Sequence, residues 1–316
     1  MRVHMPGSAI PEDARGCAVA LGNFDGVHLG HQAVLSDARA AAHGRAKLGV
    51  VTFRPHPKRL FQPDAAPFRL QTPFQRARAL KALGVDEVFA IGFDAEMARL
   101  TDAAFAEREL RDRLGVTHVS VGADFRFGRA RMGDVASLIA LGKQFGFSAH
   151  AVGAVGEDGV RYSSTAIRKA IEAGDMQKAA AQLSRPFAIE GEVVRGFQRG
   201  RGFGFPTANV GLADYVRPRL GVYAVRVRVG ENWFDGVASV GVNPSVGALA
   251  ELGELGAVTA EPVLEAHIFA FDAELYGQTI EVELIAFLRD EAHFSDLEAL
   301  KAQMARDAEM ARALLQ

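Results

Sequence analysis

At 316 residues, the chain exceeds the length at which a single hydrophobic core usually stops growing, so two domains are expected. Hydrophobic residues make up 49% and charged residues 23%, a composition that excludes a disordered chain. The 36 basic and 38 acidic residues nearly cancel, which argues against nucleic-acid binding through overall charge, and no apolar stretch is long enough for a membrane span.

The first half of the chain alternates short apolar runs with amphipathic stretches, a pattern typical of βαβ units around a parallel sheet. The lone cysteine, Cys17, is expected to pack in a buried strand, and it fits a reducing, cytoplasmic location. Ligands of parallel sheets bind beyond the carboxyl ends of the strands. Strands are predicted at residues 18–21, 48–53, 87–91, 118–121 and 148–152. Helices are predicted near residues 31–43, 73–83, 102–114 and 133–145.

Residues 22–31 (GNFDGVHLGH) form a glycine-rich turn that follows the first predicted strand and leads into a helix. His28 and His31 are three residues apart, so both are expected on one face of the first helical turn. Backbone N–H groups and the helix dipole favour an anion at that position. The segment therefore predicts a binding site for nucleotide phosphates, with a metal site formed by the two histidines as the alternative.

Three more segments of the first half strengthen this prediction. Residues 54–57 (RPHP) and 122–128 (GADFRFG) directly follow predicted strands, so they share an edge with the glycine-rich turn. Residues 162–168 (YSSTAIR) begin another helix, and an arginine one turn after a capping hydroxyl suits phosphate oxygens. Together these segments indicate nucleotidyl transfer, a reaction that depends on positioning and charge stabilisation.

The pattern changes near residues 184–186, after which period-2 segments indicate an antiparallel sheet or barrel. Residues 247–262 are predicted to form a loop, and a last helix is expected to begin at Ser295 with a capping box to Glu298. Strands are predicted at residues 187–194, 222–229, 233–242, 263–271 and 279–288. The apolar stripe of the last helix, expected to pack on the barrel, consists of Leu297, Leu300, Met304, Ala308, Ala311 and Leu315.

The second half carries candidate chemistry of its own. Residues 196–209 (GFQRGRGFGFPTAN) contain glycines and arginines that suit either close approach to a phosphate or ordinary turns. Thr207 and Asn209 alternate on a predicted strand and offer two neutral oxygens of the kind that Mg²⁺ binds. Glu265 lies on another predicted strand, either as a surface residue or as a general base. The sequence contains no P-loop, and no dinucleotide-binding glycine motif opens the first half.

The order of these segments resembles the prokaryotic bifunctional riboflavin kinase/FMN adenylyltransferase family, also called FAD synthetases, along nearly the whole chain. Many nucleotidyltransferases share the H-x-G-H element, whereas the sequence PTAN in a second, β-rich domain is specific to riboflavin kinases. The matching segments are residues 22–31, 55–57, 122–128, 164–168, 204–209, 221–224 and 288–291.

The resemblance implies a Rossmann-like α/β nucleotidyltransferase domain with a parallel sheet at residues 1–184 and a mostly antiparallel β-barrel kinase domain with a C-terminal helix at residues 185–316. The kinase domain would transfer the γ-phosphate of ATP to riboflavin, giving FMN. The first domain would join FMN to the adenylyl group of a second ATP, giving FAD and pyrophosphate. A flavin-binding regulator without turnover and a transferase with another acceptor are the alternatives.

The same resemblance implies roles for individual side chains. His28, His31 and Arg168 would stabilise adenylyl transfer, and Glu265 would act as the base of the kinase. Thr207 and Asn209 would hold Mg²⁺ together with the nucleotide. The residues expected to bind ATP are Gly22, Asn23, Phe24, Asp25, Gly30, Ser164, Thr165, Gly196, Arg201 and Gly204. Those expected to bind the flavin are Pro55, His56, Pro57, Asp124, Phe127 and Arg289.

Overall fold

The chain forms two compact units in a computed structural model that describes residues 1–157, 160–195, 205–242, 262–292, 294 and 296–316. The first unit comprises residues 1–66 and 73–164, and the second comprises residues 67–72 and 165–316. This division by packing differs from the functional domains 1–184 and 185–316, which stay a prediction. The predicted loop at residues 247–262 lies almost entirely outside the described residues.

A six-stranded parallel sheet forms the centre of the first unit, as predicted. Its strands are β1 (Arg2–His4), β2 (Ala18–Leu21), β3 (Leu48–Arg54), β4 (Glu87–Gly92), β5 (His118–Gly122) and β6 (Ser148–Val152). They are ordered β1-β4-β3-β2-β5-β6, and every neighbouring pair is parallel. The pattern of the sequence did not predict β1, which is a three-residue edge strand with two exposed residues. Two short strands, β7 (Gly156–Glu157) and β8 (Val160–Arg161), pair outside this sheet.

Helices cover both faces of this sheet. Val19 and Leu21 of β2 belong to a core that includes Leu110, whereas Ala20 between them belongs to a core that includes Leu35 and Leu80. Burial on both faces explains why these strands read as continuous apolar runs. The helices of the first unit are α1 (Leu29–Ala42), α2 (Pro57–Phe61), α3 (Pro73–Ala82), α4 (Asp102–Phe105), which continues as a π-helix (Ala106–Arg113), and α5 (Val135–Phe145).

A closed antiparallel barrel forms the centre of the second unit, which also contains most of α6 (Ser164–Ala173) and all of α7 (Met176–Leu183). The barrel strands are β9 (Phe187–Val194), β10 (Ala208–Gly211), β11 (Gly221–Val229), β12 (Asn232–Val242), β13 (Pro262–Ile268) and β14 (Thr279–Arg289). Their order around the barrel is β10-β13-β12-β11-β14-β9. The barrel and the parallel sheet confirm the predicted fold class.

The last helix, α8 (Leu297–Leu315), packs on the outside of the barrel. Its N-cap is Asp296, whose side chain accepts a hydrogen bond from the amide of Ala299, so the expectation that the helix begins at Ser295 was wrong by one position. Leu297 is 43% exposed, which contradicts its predicted place in the packed stripe. The fully buried stripe residues lie in the C-terminal half of the helix, since only there does the stripe meet the core: Ala308, Ala311 and Leu315.

A buried carboxylate joins β4 to the edge strand β1. Glu87 is paired with Arg2 in the strand register and accepts hydrogen bonds from the side chains of Arg2, His4 and Lys47. Burial raises the pKa of the Glu87 carboxyl, but the three hydrogen-bonding partners outweigh burial and hold the pKa at about 2. A carboxyl whose pKa is lower in the folded than in the unfolded chain stabilises the fold above its ordinary pKa.

We predict that Glu87→Gln lowers the free energy of unfolding at pH 7 by about 2 kcal/mol. The difference between the variant and the wild type should shrink as the pH falls from the ordinary value of 4.5 towards 2, because the wild-type carboxyl then becomes protonated. Urea denaturation followed by circular dichroism at several pH values measures this difference in the free energy of unfolding. The matched control is Asp13→Asn, which removes an exposed partner of Arg2 and should have a much smaller effect. A pH-independent loss would contradict the prediction.

Candidate active sites

The glycine-rich turn between β2 and α1 lies at the carboxyl edge of the parallel sheet, where the sequence predicted it. Its backbone enters the left-handed region at Phe24 (φ 52°), Gly26 (φ 91°) and Val27 (φ 43°). Glycine adopts this conformation easily, whereas a β-branched residue such as Val27 does so rarely. The turn is therefore strained, and the surrounding structure must hold it.

His28 and His31 lie together at the start of α1. Their rings are stacked with centroids 3.7 Å apart, and the ring of Phe24 lies 5.0 Å from that of His31. His28 is the N-cap of the helix rather than part of its first turn, because its Nδ1 accepts a hydrogen bond from the amide of His31. Gly30 permits this arrangement, since a Cβ there would lie 3.0 Å from the His28 ring. The pair thus presents two adjacent imidazoles at a helix N-terminus.

The predicted ATP-binding segment at residues 164–168 is divided between the two units. Ser164 belongs to the first unit, and its hydroxyl donates to the carbonyl of Asp25 at 2.8 Å. Thr165 and Arg168 belong to the second unit. The Arg168 guanidinium donates from Nε to the carbonyl of Phe68 at 2.6 Å and lies over the Phe68 ring.

The short loop after β3 leads directly into α2. His56 is the N-cap of this helix, its Nδ1 accepting from the amide of Lys58, and Pro57 is the first helical residue. Pro55 follows a cis peptide bond. At the end of the same helix, Phe61 is 67% exposed, which is unusual for a phenylalanine.

Phe61 is the exposed end of a series of contacting aromatic rings that the sequence did not predict. Neighbouring rings in the series have centroids 5.5–6.1 Å apart, in the order Phe61, Phe93, Phe53, Phe105, Phe127 and Phe125. Phe127, predicted to bind flavin, is buried in the core of the first unit. The sequence signal that could have indicated this series was Phe61 itself, a large apolar residue shortly after the RPHP segment.

Asp124, the other predicted flavin contact in the loop after β5, is exposed. Its carboxylate forms an ion pair with Arg161 at 2.8 Å, and this hydrogen bond is the main reason that its pKa is lowered. Cys17, in contrast, is buried, and burial raises the pKa of its thiol to about 11. A thiol with a raised pKa is a poor nucleophile, which agrees with the prediction that Cys17 only packs.

The antiparallel register brings Asn209 and Glu265 together in the second unit. Asn209 of β10 is directly opposite Glu265 of β13, and Glu265 is in turn opposite Ser239 of β12. The flanking residues Ala208 and Ala266 belong to the barrel core, so these three polar side chains lie on the outer face. Thr207 directly precedes β10, outside the strand ladder. Two of the predicted kinase residues, Asn209 and Glu265, thus face each other across the ladder, and Thr207 lies next to the start of the same strand.

A pocket of about 420 Å³ opens beside Thr207. The loop after β13 contributes two acidic and two aromatic side chains to its lining, which mixes polar and apolar groups. The lining residues are Val193, Pro206, Thr207, Ala208, Ala266, Ile268, Phe271, Asp272, Ala273, Glu274, Leu275 and Tyr276. Gly196, Arg201 and Gly204, predicted to bind ATP in this half of the chain, lie outside the described residues.

Arg289, predicted to bind the flavin, is held at the end of β14 by α8. Its guanidinium donates from Nε to Oδ1 of Asp307 at 2.9 Å and from Nη2 to Oδ2 at 2.6 Å. Asp307 is buried and also accepts from Gln303. A bidentate pair of this kind fixes the plane of the guanidinium.

Comparison with known proteins covers both units of the chain. A family model described as FAD synthetase matches residues 10–166, and one described as riboflavin kinase matches residues 183–315. A bifunctional riboflavin kinase/FMN adenylyltransferase from Escherichia coli K12 is 41% identical over 299 residues, covering 94% of this chain and 92% of the relative. The chain belongs to this family. A relative of the same description from Pseudomonas fluorescens is 42% identical over 305 residues, covering 95% and 93%.

The fold of the family member also matches a solved structure. A crystal structure described as a macrolide-efflux protein from Streptococcus pneumoniae aligns with a TM-score of 0.81 and 30% identity over 94% of both chains. Within the described part of this chain, no helix is long and apolar enough to cross a membrane. The resemblance stated from the sequence motifs is therefore confirmed at the level of family and fold.

We predict that Asp307→Asn lowers the free energy of unfolding by about 3 kcal/mol, since it leaves the Arg289 guanidinium without its buried counter-charge. The Michaelis constant for riboflavin should also rise, because Arg289 loses its fixed orientation. Urea denaturation and steady-state kinetics measure the two effects. Glu309→Gln, an exposed change on the same helix, is the matched control, and equal effects of the two substitutions would contradict the prediction.

Proposed function

We propose that this family member makes FAD from riboflavin in two reactions at separate sites. Riboflavin and ATP give FMN and ADP at the barrel, and FMN and a second ATP give FAD and pyrophosphate at the parallel sheet. The observation that carries the proposal is the coexistence of two built sites in one chain. One is the stacked His28–His31 pair, and the other is Asn209 opposite Glu265.

In adenylyl transfer, an FMN phosphate oxygen attacks the α-phosphorus of ATP, and the bond to pyrophosphate breaks. His28 and His31 stabilise the negative charge that develops on the triphosphate, a role that suits two imidazoles at a helix N-terminus. The turn formed by Gly22, Asn23, Phe24 and Asp25, together with Gly30, brings backbone close to the phosphates. The roles of Ser164, Thr165 and Arg168 toward the same nucleotide stay predictions from the resemblance.

For the flavin of FMN, the aromatic series supports a binding position near Phe61. A flat isoalloxazine ring stacks well on exposed aromatic faces, and Phe61 is the exposed end of that series. Pro55, His56 and Pro57 lie in the loop that begins the same helix. Asp124 stays a predicted flavin contact, whereas Phe127, also predicted to bind flavin, is buried and would act by supporting the series from behind.

In the kinase reaction, the 5′-hydroxyl of riboflavin attacks the γ-phosphorus of ATP, and ADP leaves. Glu265 accepts the hydroxyl proton, and Asn209, directly opposite, orients the reacting groups. The pocket beside Thr207 has the size, and the mixture of apolar and polar lining, that suit the purine of ATP. Arg289, fixed by Asp307, contacts the flavin.

Thr207 and Asn209 would hold a Mg²⁺ ion together with the nucleotide phosphates. A hydroxyl and an amide oxygen two residues apart offer the neutral oxygen ligands that suit this hard cation, and the described residues contain no cluster of three His, Cys, Asp or Glu side chains that could hold a metal alone. When bound, the ion neutralises charge on the transferred phosphoryl group. The ligands of the protein are thus riboflavin, FMN and ATP, and the cytoplasmic location stays a prediction.

We predict that His28→Asn reduces FAD formation from FMN and ATP by about 100-fold or more, because the imidazole is lost from the transition state. Asparagine retains the capping acceptor, so the helix start should remain intact. Chromatography of reactions with riboflavin, ATP and Mg²⁺ measures both products. FMN should accumulate at the wild-type rate.

The reciprocal substitution, Glu265→Gln, removes the proton acceptor while retaining the shape of the side chain. It should reduce FMN formation by about 100-fold or more and leave FAD formation from supplied FMN unchanged. Together the two variants test whether the sites are separate. Loss of both activities in either variant, with unchanged thermal unfolding, would contradict the proposal.

A further inference from the structure

The strained turn between β2 and α1 is held through its carbonyl groups. The carbonyls of Asn23, Asp25 and Val27, at alternate positions, each accept a hydrogen bond from a side chain on another part of the first unit. A conformation with positive φ at a β-branched residue persists only where its surroundings determine it. The side-chain donors to these three carbonyls are the contacts that hold the turn in this conformation.

Two donors converge on the Asn23 carbonyl. The Thr52 hydroxyl of β3 lies 3.2 Å from this oxygen, and the Arg76 Nη1 atom of α3 lies 3.1 Å from it. Thr52 is fully buried and Arg76 is half-buried. The two donors come from the strand next to β2 and from the helix that packs on the same sheet, so the carbonyl is fixed from two rigid elements.

A third donor holds the other end of the turn. The Gln32 Nε2 atom of α1 donates to the Val27 carbonyl at 3.1 Å. Because the peptide bond is planar and trans, the direction of this carbonyl also fixes the direction of the following amide, which belongs to His28. The Asn23 carbonyl fixes the amide of Phe24 in the same way. Side-chain donors behind the turn therefore set where its phosphate-facing backbone and the His28 ring lie.

We propose that Thr52, Arg76 and Gln32 are positioning residues for adenylyl transfer. They act through the turn and do not contact the substrate. The proposal rests on the proposed function of the first unit, since it assigns a role toward that reaction. It predicts losses in the chemical step, because misplacement of charge-stabilising groups by a fraction of an ångström weakens the transition state more than the ground state.

The test is a double-substitution cycle on the full chain, with FAD formation from FMN and ATP as the readout. Thr52→Val removes the hydroxyl at constant shape, and Arg76→Met retains most of the side chain. Each single substitution leaves the Asn23 carbonyl one donor and should lower kcat about threefold. The double substitution leaves the carbonyl without either donor, and the loss should be about 50-fold, well above the product of the two single effects.

Gln32→Glu gives an independent measurement, since it exchanges the donor for an oxygen that repels the Val27 carbonyl at nearly constant shape. We expect kcat to fall about tenfold with the Michaelis constant for FMN unchanged. Thr52→Ser, unlike Thr52→Val, retains the hydroxyl, so its kcat should lie within twofold of the wild-type value. Riboflavin kinase activity of the same preparations and their thermal unfolding report on folding.

The kinetics of the variants test the positioning role, whereas pyrophosphate release by the wild type tests adenylyl transfer itself. Values of kcat within twofold of the wild type for the double variant and for Gln32→Glu would overturn the positioning role. A fall in kcat that merely follows the folded fraction would also overturn it. So would substitutions that change only the Michaelis constants and leave kcat unaltered. If the wild type releases no pyrophosphate from ATP and FMN, adenylyl transfer itself is wrong, and the inference fails with it.

Discussion

Main-chain hydrogen bonding between strands is the constraint on which both candidate sites depend. In the first unit, parallel ladders align the carboxyl ends of β2, β3 and β5, so the segments after them reach one edge of the sheet. In the second unit, the antiparallel ladder sets Asn209 opposite Glu265. A slip of one residue would turn either side chain into the apolar barrel interior, where an unpaired polar group is costly. Register therefore fixes the chemistry of the barrel and its stability together.

Hydrogen bonds to buried and half-buried polar groups shape the details of the sites. In the turn before α1, the side chains of Thr52, Arg76 and Gln32 donate hydrogen bonds to main-chain carbonyls. At the end of β14, the Asp307 carboxylate holds the Arg289 guanidinium. In each place, a hydrogen bond from or to a buried or half-buried residue also fixes the direction of a group predicted to act on the substrate. The cost of leaving such atoms unsatisfied is of the order of 1–3 kcal/mol, which keeps the arrangement rigid.

The departures from the sequence-based expectations have identifiable physical causes. His28 was expected within the helix but caps it, since its ring nitrogen competes successfully for the His31 amide. Leu297 continues the apolar stripe of α8 yet is exposed, because a periodic pattern does not reveal where the packing surface ends. Phe61 was missed because an exposed ring and a core ring look alike in a sequence. Periodicity reports which residues share a face, and not what that face meets.

The amino-acid sequence by itself determined the two fold classes, most of the longer strands and helices, and the family, since alternation and periodicity follow from the local geometry of the chain and the motifs are contiguous. It also identified His28, His31, Asn209 and Glu265 as candidates. Only the tertiary structure decided that Asn209 lies opposite Glu265, that an aromatic series ends at Phe61, and that side chains from three elements hold the strained turn. Those relations join residues far apart in the chain, and their geometry depends on strand register and packing, which no local pattern specifies.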